Sequence, residues 1–99
     1  MANRNSGEIS FEILGKVGSI GFNQNGWSKE VNIVSWNGAQ PKIDVREWDP
    51  THERMTKGIT LFEDEAKNLG QLLCDRLITK GETIDSIVKP TNTPDYAGA

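Results

Sequence analysis

Across residues 8–22, "EISFEILGKVGSIGF", apolar and polar side chains alternate roughly one for one. With Phe11, Ile13 and several β-branched residues in the run, this period of two predicts a long first strand. Gly15, Gly18 and Gly21 interrupt it and predict a bend, a bulge or a break. Asn25-Gly26 is a strong turn signal. "WSKEVNIVSW" then reads as a second strand, "NGAQP" as its turn and "KIDVREW" as a third strand, with Pro41 at the strand start, where a missing N–H is tolerated. "DPTHERMTK" reads as a polar loop and "GITL" as a short fourth strand.

The period then changes. In "FEDEAKNLGQLLCDRLITKG", Phe62, Ala66, Leu69, Leu73 and Leu77 recur at helical spacing, and Leu72 widens the stripe. Glu63, Asp64 and Glu65 suit the positive end of a helix dipole, and Lys80-Gly81 suits its ending. Phe62 stands where a polar cap is expected. The pattern is α+β in class, a ββββα chain. Residues 8–81 are expected to form the domain, and residues 82–99 an extension whose polar, proline-punctuated end, "KPTNTPDYAGA", is expected to be disordered.

Strand parity divides the hairpin into two faces. On the third strand Lys42, Asp44, Arg46 and Trp48 share one face, and Ile43, Val45 and Glu47 the other. On the second strand Val31 and Ile33 oppose Asn32, Val34 and Trp36. The helix stripe is expected to seal onto Val31, Ile33, Ile43 and Val45, leaving Trp36 and Trp48 exposed among cations. Exposed aromatics between lysines and arginines suit unpaired bases: rings stack, and cations follow the phosphates. Lys29, Lys42, Arg46 and Lys57 would form the basic lane, and Asn32 would hydrogen-bond bases or sugars. Asp44 dilutes the lane without explanation.

Composition limits these readings. The chain has 99 residues, 35% of them hydrophobic, enough for one thin core. A net charge of −3 excludes a nonspecific duplex-DNA coat unless positive charge is gathered on one surface. No apolar run is long enough to span a bilayer or to act as a signal peptide, and Cys74 is the only cysteine, so a cytoplasmic location is expected. Two other readings stay open on the same residues. The tryptophans suit a core, and a sheet that stacks sugars or docks a protein would use the same aromatics.

"PKIDVREWDP", "MTKGITL" and the acidic-start helix together resemble the transcriptional coactivator family of positive cofactor four. The likeness is greatest to its short bacterial members of the YdbC type, through Gly26-Trp27, Lys29-Glu30, Asn32 and Val34 to Asn37. It covers about Phe11 to Leu77. The resemblance implies a curved antiparallel sheet and helix, a homodimer, and binding of single-stranded DNA, with single-stranded RNA as a second ligand. It implies base stacking by Trp36, with Arg46, Trp48 and Lys57 at matching family positions and Lys42 near a family lysine. Val34 stands where eukaryotic members carry an arginine, which predicts a weaker phosphate contact there.

No enzyme, cofactor or metal site is expected. Cys74 lies mid-helix among leucines and is expected to be buried and inert, and His52 sits in a turn without an orienting partner. Spaced metal ligands and a phosphate-binding glycine motif are both missing from the sequence pattern.

Overall fold

The structure, a computed structural model, describes residues 9–88. It divides into two compact units, between Asp64 and Glu65. The first is an antiparallel sheet in the order β1 (Phe11–Phe22), β2 (Ser28–Trp36), β3 (Lys42–Trp48) and β4 (Ile59–Leu61). The second contains α1 (Glu63–Leu73) from its first turn onward, a π-helical segment (Cys74–Thr79) and α2 (Ile84–Val88). The α+β class and the ββββα order are as the sequence predicts; α2 is an addition.

The three strand glycines mark three bulges. Pairing with β2 slips between Ile13 and Gly15, Lys16 and Gly18, and Ser19 and Gly21. Each bulge leaves an unpaired residue and increases the local twist, so β1 bends along β2. Its two ends stay in register, with Phe11 opposite Trp36 and Phe22 opposite Ser28. The β2–β3 turn carries positive φ at Asn37 (53°) and Gly38 (75°), and Ala39 donates to the Trp36 carbonyl at 2.9 Å. Two left-handed central residues match the twist of a tight hairpin.

β2 and β3 pair without interruption, Ser28 opposite Trp48, Asn32 opposite Asp44 and Val34 opposite Lys42. Among the described residues, every buried one belongs to their even-numbered face: Ser28, Glu30, Asn32, Val34, Asp44 and Trp48. Val31, Ile33, Ile43 and Val45 on the odd face are only half-buried, and no α1 residue is buried. Within the first unit, then, burial falls on the even face, the one expected to stay open. The cause lies in the first unit itself. Phe11, carried on the bent β1, packs on Trp48 with ring centroids 5.1 Å apart, and His52 from the β3–β4 loop stacks on it at 5.7 Å.

In the second unit Gly81 takes φ 67° after the π-helical turn, where Lys80 donates to the Asp75 carbonyl at 2.9 Å. Thr83 and Ser86 then cap α2 reciprocally, Thr83 N–H to Ser86 Oγ at 2.8 Å and Ser86 N–H to Thr83 Oγ1 at 3.1 Å. "TIDS" carried that signal in the sequence. The extension expected beyond residue 81 is thus helical over Ile84–Val88, and its end from residue 89 lies outside the described residues. Cys74, expected to be buried, is exposed, as are Leu69, Leu72, Leu73 and Leu77 around it. No helix among the described residues is long and apolar enough to cross a membrane.

Candidate nucleic-acid interface

The even face is built around one charged pair. Asp44 is 0% exposed and takes Arg46 Nε on Oδ1 at 2.6 Å and Nη2 on Oδ2 at 2.8 Å. Residues two apart on a strand share a face, so the bidentate contact costs no distortion of the chain. The guanidinium carbon lies 4.5 Å from the Trp36 ring centroid, and Nη1 donates to the Thr56 carbonyl at 3.2 Å. Only 12% of the Arg46 side chain is exposed.

The β3–β4 loop is held close to Arg46 for a backbone reason. A Cβ on Gly58 would stand 2.3 Å from the Val45 carbonyl oxygen and 2.4 Å from Arg46 Cβ, so only glycine fits unshifted. Thr56 pairs with Glu47 through its N–H (3.0 Å to the Glu47 carbonyl) and its hydroxyl (3.1 Å from the Glu47 N–H). Lys57, between Thr56 and Gly58, is exposed. Lys42 is half-buried, with Nζ 4.9 Å from the Phe62 ring centroid.

Beneath this lies a second polar group. Glu30 accepts from Asn32 Nδ2 at 3.1 Å and from His52 Nε2, 3.0 Å from each carboxylate oxygen. Burial works to raise the Glu30 pKa, but the hydrogen bonds from Asn32, His52 and Ser28, with the His52 charge, outweigh it and hold the carboxyl below its ordinary value. The loop presenting His52 is folded by Asp49. That carboxylate takes the N–H groups of Glu53 (2.9 Å) and Arg54 (3.0 Å) and the Thr51 hydroxyl (2.9 Å). The Arg54 amide foremost keeps the Asp49 carboxyl below the usual range. His52 itself adopts φ 63°.

The eight residues singled out from sequence therefore separate. Trp36, Lys42 and Arg46 share the even face with some exposure, and Lys57 is exposed next in the chain to Thr56, whose carbonyl receives Arg46. Three lie inside the face: Trp48 and Val34 are 0% exposed, and Asn32 is buried with its amide given to Glu30. Trp48 is consequently a core ring rather than an open stacking surface. Lys29, of odd parity, lies on the other side, where it pairs with Glu47 at 3.9 Å. Sequence reasoning missed the roles of Phe11, Asp44 and the Glu30–His52 contact. Only the second had a local signal, opposite charges two apart on one strand.

The matched family is the one described as Transcriptional Coactivator p15 (PC4), over residues 23–72, from the β1–β2 turn to the end of α1. An uncharacterized protein of Treponema pallidum (strain Nichols) is 38% identical over 66 residues, a match covering 67% of this chain and 78% of that one. The chain belongs to the p15 coactivator family. That family binds single-stranded DNA, is tied to transcriptional coactivation, and is one of nucleic-acid-binding proteins rather than enzymes.

Proposed function

We propose that this chain binds single-stranded DNA along the even face of β2 and β3, with Trp36 as the stacking ring and Lys42 and Lys57 as phosphate contacts. The observation that carries the reading is the half-buried Trp36 with the Arg46 guanidinium 4.5 Å from its ring centroid, on the strand face that also carries Lys42. An aromatic with neighbouring cations offers a base a flat surface and its phosphate a counter-charge. Duplex reading has no support here, since α1 opens with Glu63, Asp64 and Glu65. The same chemistry serves single-stranded RNA, which we include as a second ligand class.

The reading extends to a homodimer. The first unit leaves Leu14, Val17, Ile20 and Phe22 exposed on β1, and the second leaves Leu69, Leu72, Leu73 and Leu77 exposed. That much open apolar surface is costly in water for a small domain, and a second copy would cover it.

Fluorescence anisotropy with labelled oligo-dT, RNA of equal length and a duplex tests the ligand. Tighter binding of single strands than of duplex, weakening with salt, is expected. Absence of binding to oligo-dT at low salt would overturn the proposal in favour of a protein-docking sheet. Salt-independent binding of sugars would favour a carbohydrate module. Sedimentation tests assembly, and a folded monomer at micromolar concentration would refute the dimer.

A further inference from the structure

We infer that Asp44, an acid on a surface that receives a polyanion, is a positioning residue for binding: it holds the Arg46 guanidinium over the Trp36 ring, so that the two form one preassembled unit on which an unpaired base stacks through Trp36. The inference rests on the single-strand reading above.

Three observations meet at Asp44. It is fully buried, so its charge is spent inside the protein and not offered to solvent. Both its oxygens are given to Arg46, at 2.6 and 2.8 Å, in the fork geometry that fixes the plane of a guanidinium. The same guanidinium lies over the indole. An arginine freed from Asp44 would sample many rotamers, and ordering one on ligand binding costs free energy. Fixed in advance, it backs the Trp36 ring with a cation at no such cost.

The pair also redefines what Arg46 contributes. Its charge is matched by Asp44, its Nη1 is engaged by the Thr56 carbonyl, and little of it is exposed. A phosphate could recruit it only by displacing these partners. Its contribution is accordingly to back and hold the Trp36 ring, while Lys42 and Lys57 supply the salt-sensitive contacts.

Charge alone and positioning predict opposite signs, which makes the test sharp. Asp44→Asn removes one negative charge beside the ligand, so simple electrostatics predicts tighter binding. Positioning predicts that oligo-dT affinity falls by about five-fold or more, the lower end for loss of one base stack. It also predicts that adding Asp44→Asn to Arg46→Gln costs nothing further, because Asp44 acts through Arg46. Circular dichroism and urea denaturation establish that each variant is folded. Because a change at a buried acid can unfold the protein, Arg46→Lys provides the second arm. It keeps the charge but cannot take both Asp44 oxygens in a planar fork, so affinity should fall while the salt slope stays that of the unaltered protein. A folded Asp44→Asn that binds as tightly or more tightly, additive losses in the double variant, or an Arg46→Lys that binds normally would each overturn the inference and leave single-strand binding intact. Failure of the unaltered chain to bind oligo-dT would remove both.

Discussion

Lys29 and Glu47 stand directly opposite each other on β2 and β3, 3.9 Å apart between Nζ and Oε2, on the side of the sheet that Trp36 does not share. The lysine remains 51% exposed, so the pair itself contributes little stability. Its location decides its role in binding. Lys29→Ala should leave both oligo-dT affinity and salt dependence near those of the unaltered protein. Lys42→Ala, on the even face, should reduce the log–log salt slope by ~0.7, the value for one single-strand phosphate contact. Salt titrations of the two variants side by side check this, and equal slopes would contradict the division of faces.

Gly58 lacks room for any side chain, since the obstructing atoms are the Val45 carbonyl oxygen and Arg46 Cβ on a paired strand. Relief of the clash must move either β3 or the loop. Gly58→Ala should therefore destabilise by about 1–3 kcal/mol, the usual range for overpacking, measured by urea denaturation. Because the loop carries the Thr56 carbonyl that receives Arg46, affinity per folded molecule should decline as well.

The contrast between these two residues explains how far the sequence could be read. Strand order, the bulges at Gly15, Gly18 and Gly21, the tight turn at Asn37-Gly38 and the onset of α1 all follow from local spacing and turn chemistry, which act within a few residues. Parity correctly grouped Trp36, Lys42, Arg46 and Trp48. It also places Lys29 with Val31, on the face opposite the expected basic lane. Which face would be covered was a different kind of question. It depended on where the bent β1 would carry Phe11 and on a loop residue, His52, reaching back to Glu30, contacts separated by many positions in the chain. Alternation shows that two faces differ, but it does not name the one that is buried.

Trp36 and Trp48 should consequently respond to substitution in different ways. Trp48 is enclosed by Phe11 and His52, so Trp48→Ala should cost about 3–5 kcal/mol of stability and lose binding only through unfolding. Its indole N–H has no hydrogen-bond partner among the described residues, so Trp48→Phe forfeits volume but no hydrogen bond and should be the milder change. Trp36→Ala should instead weaken oligo-dT binding by ~1–3 kcal/mol, one lost stack, with a smaller effect on the urea midpoint. Paired denaturation and anisotropy measurements separate the two. A folded Trp48→Ala with selectively lost binding would return that ring to the ligand surface.

The Glu30–His52 contact makes an acid-sensitive prediction. The Glu30 carboxyl is held below its ordinary value by Asn32, His52 and Ser28, and its cross-strand neighbour is Arg46. A carboxyl depressed on folding adds stability that is complete above its unfolded value, about 4.3 for glutamate, and is lost as pH falls through the lower folded-state value. Stability should thus decline with acidification below about pH 4.3. Glu30→Gln should shrink that acid decline while lowering stability at neutral pH, where a neutral amide replaces the charged acceptor of His52. His52→Ala should act in the same direction, removing one of the hydrogen bonds that favour the ionised carboxyl. Urea midpoints collected from pH 7 down to pH 3 for the three proteins provide the measurement. If the Gln variant kept the full acid decline, the loss would have to arise from other carboxyls, with Asp49 the next to replace.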